Sequence, residues 1–87
     1  KMEKFELDHQ YKLYLERSGL KEESMHPIQK IETKRAFIGA CGQMLVLLRD
    51  DLGAMEDEDK AILTMQDMIT QCEQFWKEQL NLKTVFK

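Results

Sequence analysis

The chain has 87 residues, 43% hydrophobic and 33% charged, with one Pro, four Gly and a formal net charge of −3. That composition excludes a disordered chain and a loop-rich all-β fold, and a pI near 5.4 supplies no basic footprint for nucleic acid. One thin-cored domain over residues 1–87 is expected, because a chain this short withdraws only about 60–65% of its unfolded surface from water and such domains often gain stability by associating.

The apolar spacing is helical throughout, which predicts an all-α fold. In residues 3–18, Leu7, Tyr11, Tyr14 and Leu15 share one helical face. Gly19 then stands where a left-handed C-cap is wanted, with Leu20 as its hydrophobic companion. Residues 20–26 read as a polar connection in which Ser24 or His26 caps the next helix. Pro27 suits that helix's first turn. The second helix is expected over 27–52 and to end at Gly53. Ile31, Ile38, Leu45 and Leu52 repeat every seven residues along it, Cys41 and Leu48 extend their face, and Phe37 and Met44 widen it. A stripe this wide needs more than one neighbour. The acidic run Glu56 to Asp59 complements the dipole of a third helix, expected over 57–80. Ile62, Met65, Ile69, Cys72 and Trp76 form its heptad-like stripe, thickened by Ala61, Met68 and Phe75. Residues 82–87 are expected as a short tail. Short connections favour antiparallel neighbours, so the expected architecture is an up-down-up three-helix arrangement with a long central helix that oligomerises.

Two features of the central helix stand out. Ala36, Gly39, Ala40 and Gly42 crowd one stretch, and glycine inside a helix costs about 1 kcal/mol relative to alanine. Small residues allow close backbone approach, which makes these four candidate contacts in a homo-oligomer; close packing within the chain and a tolerated cost are the alternatives. The second feature is basic. Only residues 24–53 are net positive, with Lys30, Lys34, Arg35 and Arg49 against Glu32, Asp50 and Asp51. Lys34 falls in the apolar stripe and Lys30 beside it, where a charge needs a partner. An antiparallel bundle brings Tyr11 and Tyr14 from the first helix and Trp76 from the third toward them. Tyr11, Tyr14, Lys30, Lys34, Arg35 and Trp76 are therefore candidate ligand-binding residues, since a base stacks on aromatic faces and cations meet phosphate. The competing reading is an overhanging helix end whose lysines extend into water.

The remaining chemistry is sparse. The carboxylates at Glu3, Glu6, Asp8 and Glu56 to Asp59 permit an Mg²⁺-dependent helical nucleotide hydrolase as an alternative function, but they cluster at helix starts, the pattern of dipole complementation. His9, His26, Cys41 and Cys72 lack metal-ligand spacing. No metal, cofactor or catalytic residue is expected. Six methionines suit an adaptable interaction surface. With no signal-peptide pattern and no apolar run of about 18 residues, no membrane partner is expected and the expected location is cytoplasmic.

The stretch His26-Pro27-Ile28-Gln29-Lys30 through Lys34-Arg35-Ala36-Phe37, with Gly39-Ala40-Cys41-Gly42-Gln43 and Leu47-Leu48-Arg49-Asp50-Asp51, resembles small helical accessory proteins of phages and prophages, over about residues 5–76. That resemblance implies a mobile-element protein in the host cytoplasm. In that setting small helical oligomers include inhibitors of host defence, some of which sequester nucleotide signals. The resulting expectation is a non-enzymatic binding protein whose partner is a host protein or a small nucleotide. The resemblance carries over no site residue.

Overall fold

The computed structural model describes the backbone of residues 3–85 and side chains as far as residue 79. It is all-helical, with no strand among the described residues. Three α-helices follow in order: α1 (Leu7–Arg17), α2 (Pro27–Leu47) and α3 (Glu58–Val85), with 3₁₀ turns at Glu3–Phe5 and Glu22–Ser24 and a π-helical turn at Leu48–Leu52. The chain divides into two compact units, one ending at Val46 and one starting at Leu47.

In the first unit, the expected helix over 3–18 is interrupted at its start. The Gln10 amide donates to the Lys4 carbonyl at 2.6 Å, taking an acceptor that a continuous helix would give to a backbone N–H. Glu6 is extended (φ −90°, ψ 132°), so α1 begins only at Leu7. Its other end follows the expectation. Gly19 is left-handed at φ +70°, and its N–H donates to Glu16 O while the Leu20 N–H donates to Leu15 O. This paired closure satisfies two carbonyls that the helix end leaves free. Of the two expected caps, His26 serves α2: its Nδ1 accepts the Ile28 N–H at 3.1 Å, with Pro27 between them where a missing N–H costs nothing. Tyr11 and Leu15 are the buried side chains of this unit among the described residues.

In the second unit, the expected helix to Leu52 changes character after Leu47. The Gly53 N–H donates to Leu48 O at 2.7 Å, five residues back, widening the last turn into a π-helix. Leu52 is buried. Asp57 caps α3: its Oδ1 accepts the N–H groups of Asp59 (3.0 Å) and Lys60 (3.3 Å). The third helix does not stop near residue 80. It runs to Val85, because nothing between Leu80 and Val85 is a Gly or Pro that would break it. Residues 82–85 of the expected tail are thus helical, and 86–87 lie outside the described residues.

The apolar faces are largely uncovered. On α2, Ile31 (52% exposed) and Leu45 (52%) were expected in the core stripe. On α3, Ile62, Met65, Ile69, Phe75 and Trp76 are all exposed.

Candidate functional site

The charged and aromatic side chains named from the sequence converge in part, where α1 meets the middle of α2. Tyr11 and Tyr14 are three apart on α1 and so project from one face. Phe37 of α2 packs against both, with ring centroids 5.3 Å from Tyr11 and 5.2 Å from Tyr14, tilted by 52° and 34°. These are offset, tilted pairings of the favoured kind. Lys34 stands one turn before Phe37 and reaches the same face of α1. Its Nζ lies 3.1 Å from Asp8 Oδ1 and 5.7 Å from the centre of the Tyr11 ring. Asp8 and Tyr11 are themselves three apart, so one ammonium group bridges a carboxylate and a ring on successive positions of α1. Both partners of the ion pair are solvent-exposed, which holds its contribution to about 0.2–1 kcal/mol.

The stacked trio uses its aromatic faces on one another. Tyr11 is 3% exposed, and its buried hydroxyl has no hydrogen-bond partner among the described residues. Burial raises the Tyr11 pKa above its ordinary value; the nearby Glu22 carboxylate pushes the same way and Lys34 opposes it. The phenol is therefore held neutral.

The other candidates fall elsewhere. Lys30 is exposed and forms no ion pair among the described residues. Arg35 bonds Glu32 on its own helix at 3.3 Å. Trp76 lies in the second unit, edge-on to Phe75 with centroids 5.2 Å apart. Ile31, Lys34, Arg35 and Ile38 border a shallow depression of about 460 Å³ on α2, a size within the range of small-ligand clefts. Tyr14, Phe37, Ala36 and Ala40 line another of about 520 Å³ with Leu20, Glu32 and Thr33. Ala36 and Ala40, named as small-residue contacts, thus form part of a groove floor. At Gly39 and Gly42 a built Cβ meets nothing within 4 Å, so close packing among the described residues does not account for either glycine.

No protein-family model, curated protein or solved structure matches the chain. Among the described residues no three His, Cys, Asp or Glu side chains group as a metal site, and no helix is long and apolar enough to cross a membrane. Both cysteines are free thiols, Cys41 half-buried and Cys72 exposed. Of the acidic run, Asp57 is engaged as a helix cap.

Two participants in the cluster were missed as site residues. Asp8 is exposed, but its three-residue spacing to Tyr11 puts it on the same side of α1 and is the signal that could identify it as the partner Lys34 requires. Phe37 counts in the sequence only toward the width of the α2 stripe. Its role between two tyrosines depends on where the helices cross, which no periodicity carries.

Proposed function

We propose that this chain is a non-enzymatic helical binding protein that works as a homo-oligomer. The carrying observation is its surface: among the described residues thirteen large apolar side chains are exposed, while three side chains, Tyr11, Leu15 and Leu52, form the buried core. Burial of apolar area is the dominant favourable term in folding and in most association, and large exposed patches mark interaction surfaces. A surface so apolar on a chain so short is suited to covering by another helical surface. Engagement of Asp57 as a cap favours binding over Mg²⁺-dependent hydrolysis. A small accessory protein of a mobile element, acting in the host cytoplasm on a host protein or a nucleotide signal, is the setting this reading fits.

A small-ligand form of the reading has its own support. Lys34 and Arg35 border the same depression as Ile31 and Ile38, pairing cations with apolar walls as a phosphate-bearing nucleotide requires. Calorimetry against a panel of cyclic and ADP-ribose-type nucleotides is expected to find a ligand whose affinity falls at least tenfold in Lys34→Ala; unchanged binding in that variant removes this site.

Light scattering between 10 and 100 µM (on the order of working concentrations, at which micromolar association is well populated) tests the main reading. A mass at a multiple of 10.3 kDa is expected, with no nucleotide turnover in the presence of Mg²⁺. A strict monomer, or turnover lost on replacing Glu56, Asp57 and Asp59, overturns it.

A further inference from the structure

The three α-helices begin in different ways. A carboxylate, Asp57, caps α3, and Glu58 and Asp59 stand in its first turn. The start of α1 has no side-chain cap, but Asp8 stands in its first turn. The start of α2 has no acidic support of either kind. Its first turn, Pro27 to Lys30, contains no acidic residue. The side chain that caps it among the described residues is the imidazole of His26, whose Nδ1 accepts the Ile28 N–H at 3.1 Å. The His26 carbonyl accepts the Lys30 N–H at 2.9 Å, so one residue closes the turn with both its ring and its backbone. Of these capping and first-turn groups, imidazole is the one whose ordinary charge change falls between about pH 5 and 8.

The geometry points to the start of α2 as a pH-sensitive switch: neutral His26 holds the first turn closed, and its protonation opens that turn. A neutral imidazole accepts at one ring nitrogen and donates at the other, whereas an imidazolium only donates. The proton that arrives from water goes to Nδ1, the atom that receives the Ile28 N–H, so the cap bond and the added proton exclude each other. His26 is exposed, and the proton reaches it without unfolding. The new charge also lies at the positive end of the helix dipole, where a cation is unfavourable. The charged groups nearest in the chain are Lys30 on α2 and, at the preceding 3₁₀ turn, Lys21, Glu22 and Glu23. Among the described residues none of them forms an ion pair with His26. Pro27 keeps its fixed φ when the cap is lost, so the change is confined to the turn whose N–H groups lose their acceptor. The helix then starts about one turn later, and residues 26–30 join the connection from α1. The chain's other histidine works in the opposite sense: His9 Nδ1 lies 3.8 Å from Glu3 Oε1, a contact that protonation turns into an ion pair.

The switch is read in the full chain carrying His9→Gln, so that His26 is the one histidine left. The ¹³Cα chemical shifts of Pro27 to Lys30 report whether the turn is closed. They are expected to be helical at about pH 8 and to move toward coil values by about pH 5.5, while those of Ile38 to Leu45, in the body of α2, stay where they are. Asparagine is a good cap that accepts at either pH, so in His26→Asn the first turn is expected to remain helical at both. Urea unfolding gives a second measure. Between the same two pH values, the unfolding constant of the His9→Gln chain is expected to rise about fivefold more than that of the same chain with His26→Asn, the factor that a typical cap contributes. Carboxylate titration is common to both chains and cancels. Shifts of Pro27 to Lys30 that do not change with pH, or that change equally in His26→Asn, overturn the inference. So does an equal rise of the unfolding constant in the two chains.

Discussion

Tyr11 carries the sharpest conflict between packing and polarity in the molecule. Its ring is buried against Phe37, yet its hydroxyl is buried without a hydrogen-bond partner among the described residues, and such a group costs about 1–3 kcal/mol. Tyr11→Phe keeps the ring and removes the orphan. Urea unfolding at pH 7 is expected to find this variant as stable as the wild type or about 1 kcal/mol more stable; a loss of about 2 kcal/mol would instead reveal a partnered hydroxyl. The pH dependence follows from the direction of the pKa shift. Burial first, then Glu22, raises the Tyr11 pKa in the folded state above the ordinary value of 10.0. The folded chain therefore holds this proton to higher pH than the unfolded chain. The associated stability is fully present below pH 10 and is lost as pH rises through the folded value. Chemical unfolding followed from pH 8 to 11 is expected to show a shallower alkaline decline in Tyr11→Phe than in the wild type. Parallel curves would place the titration on other groups. The burial of Tyr11 was legible in the spacing of Leu7, Tyr11, Tyr14 and Leu15, whereas its contact with Lys34 was only approached, because the residue of α2 that meets Tyr11 is set by the crossing point of the helices.

Among the elements, the glycines inside α2 and the one that follows the π-helical turn behave in opposite ways. At Gly39 and Gly42 a Cβ meets nothing within 4 Å, so each carries the helix-interior cost without a steric return among the described residues. Gly39→Ala and Gly42→Ala are each expected to raise stability by about 1 kcal/mol in denaturant titrations. A loss of stability in either variant would instead place another backbone against the Ala36 to Gly42 stretch. Gly53 is the reverse case. Its φ of −65° is open to any residue, but a Cβ there would lie 2.7 Å from the Arg49 carbonyl oxygen and 3.2 Å from that of Leu48. Both atoms are backbone of the π-helical turn and have little freedom to move. Gly53→Ala is expected to cost about 1–2 kcal/mol by the same titration, and a neutral result would show that the turn relaxes to an ordinary α-helical end. Starts of helices were more legible than ends. Pro27 with His26, and Asp57 before α3, are local devices written in a few consecutive residues. The end of α3 at Val85 and the π-helical turn have no comparable signature, since both depend on which carbonyl each N–H finds.

At the scale of the whole molecule, the helical content was legible and the covering of the apolar faces was not. Periodicity says that Ile31, Ile38, Leu45 and Leu52 share a face; it does not say what lies against that face, and of the four only Leu52 is buried. The same holds for Ile62, Ile69 and Trp76 on α3, all about half exposed. Three buried side chains among the described residues give little against a backbone ordering cost of about 1–2 kcal/mol per residue. If, as proposed, a second copy covers the exposed apolar surface, folding and association form one equilibrium and the melting temperature depends on protein concentration. The size of that dependence follows from general unfolding enthalpies. A dimer of two 87-residue chains, at about 0.7 kcal/mol per residue, unfolds with about 120 kcal/mol. A tenfold rise in concentration contributes about 1.4 kcal/mol to the dimer, which raises the melting temperature by about 4 °C. Circular dichroism melts across a hundredfold range of concentration are expected to separate by about 8 °C on the same basis. A wild-type melting point that stays constant over the range would mean that the chain stands alone with its apolar faces in water.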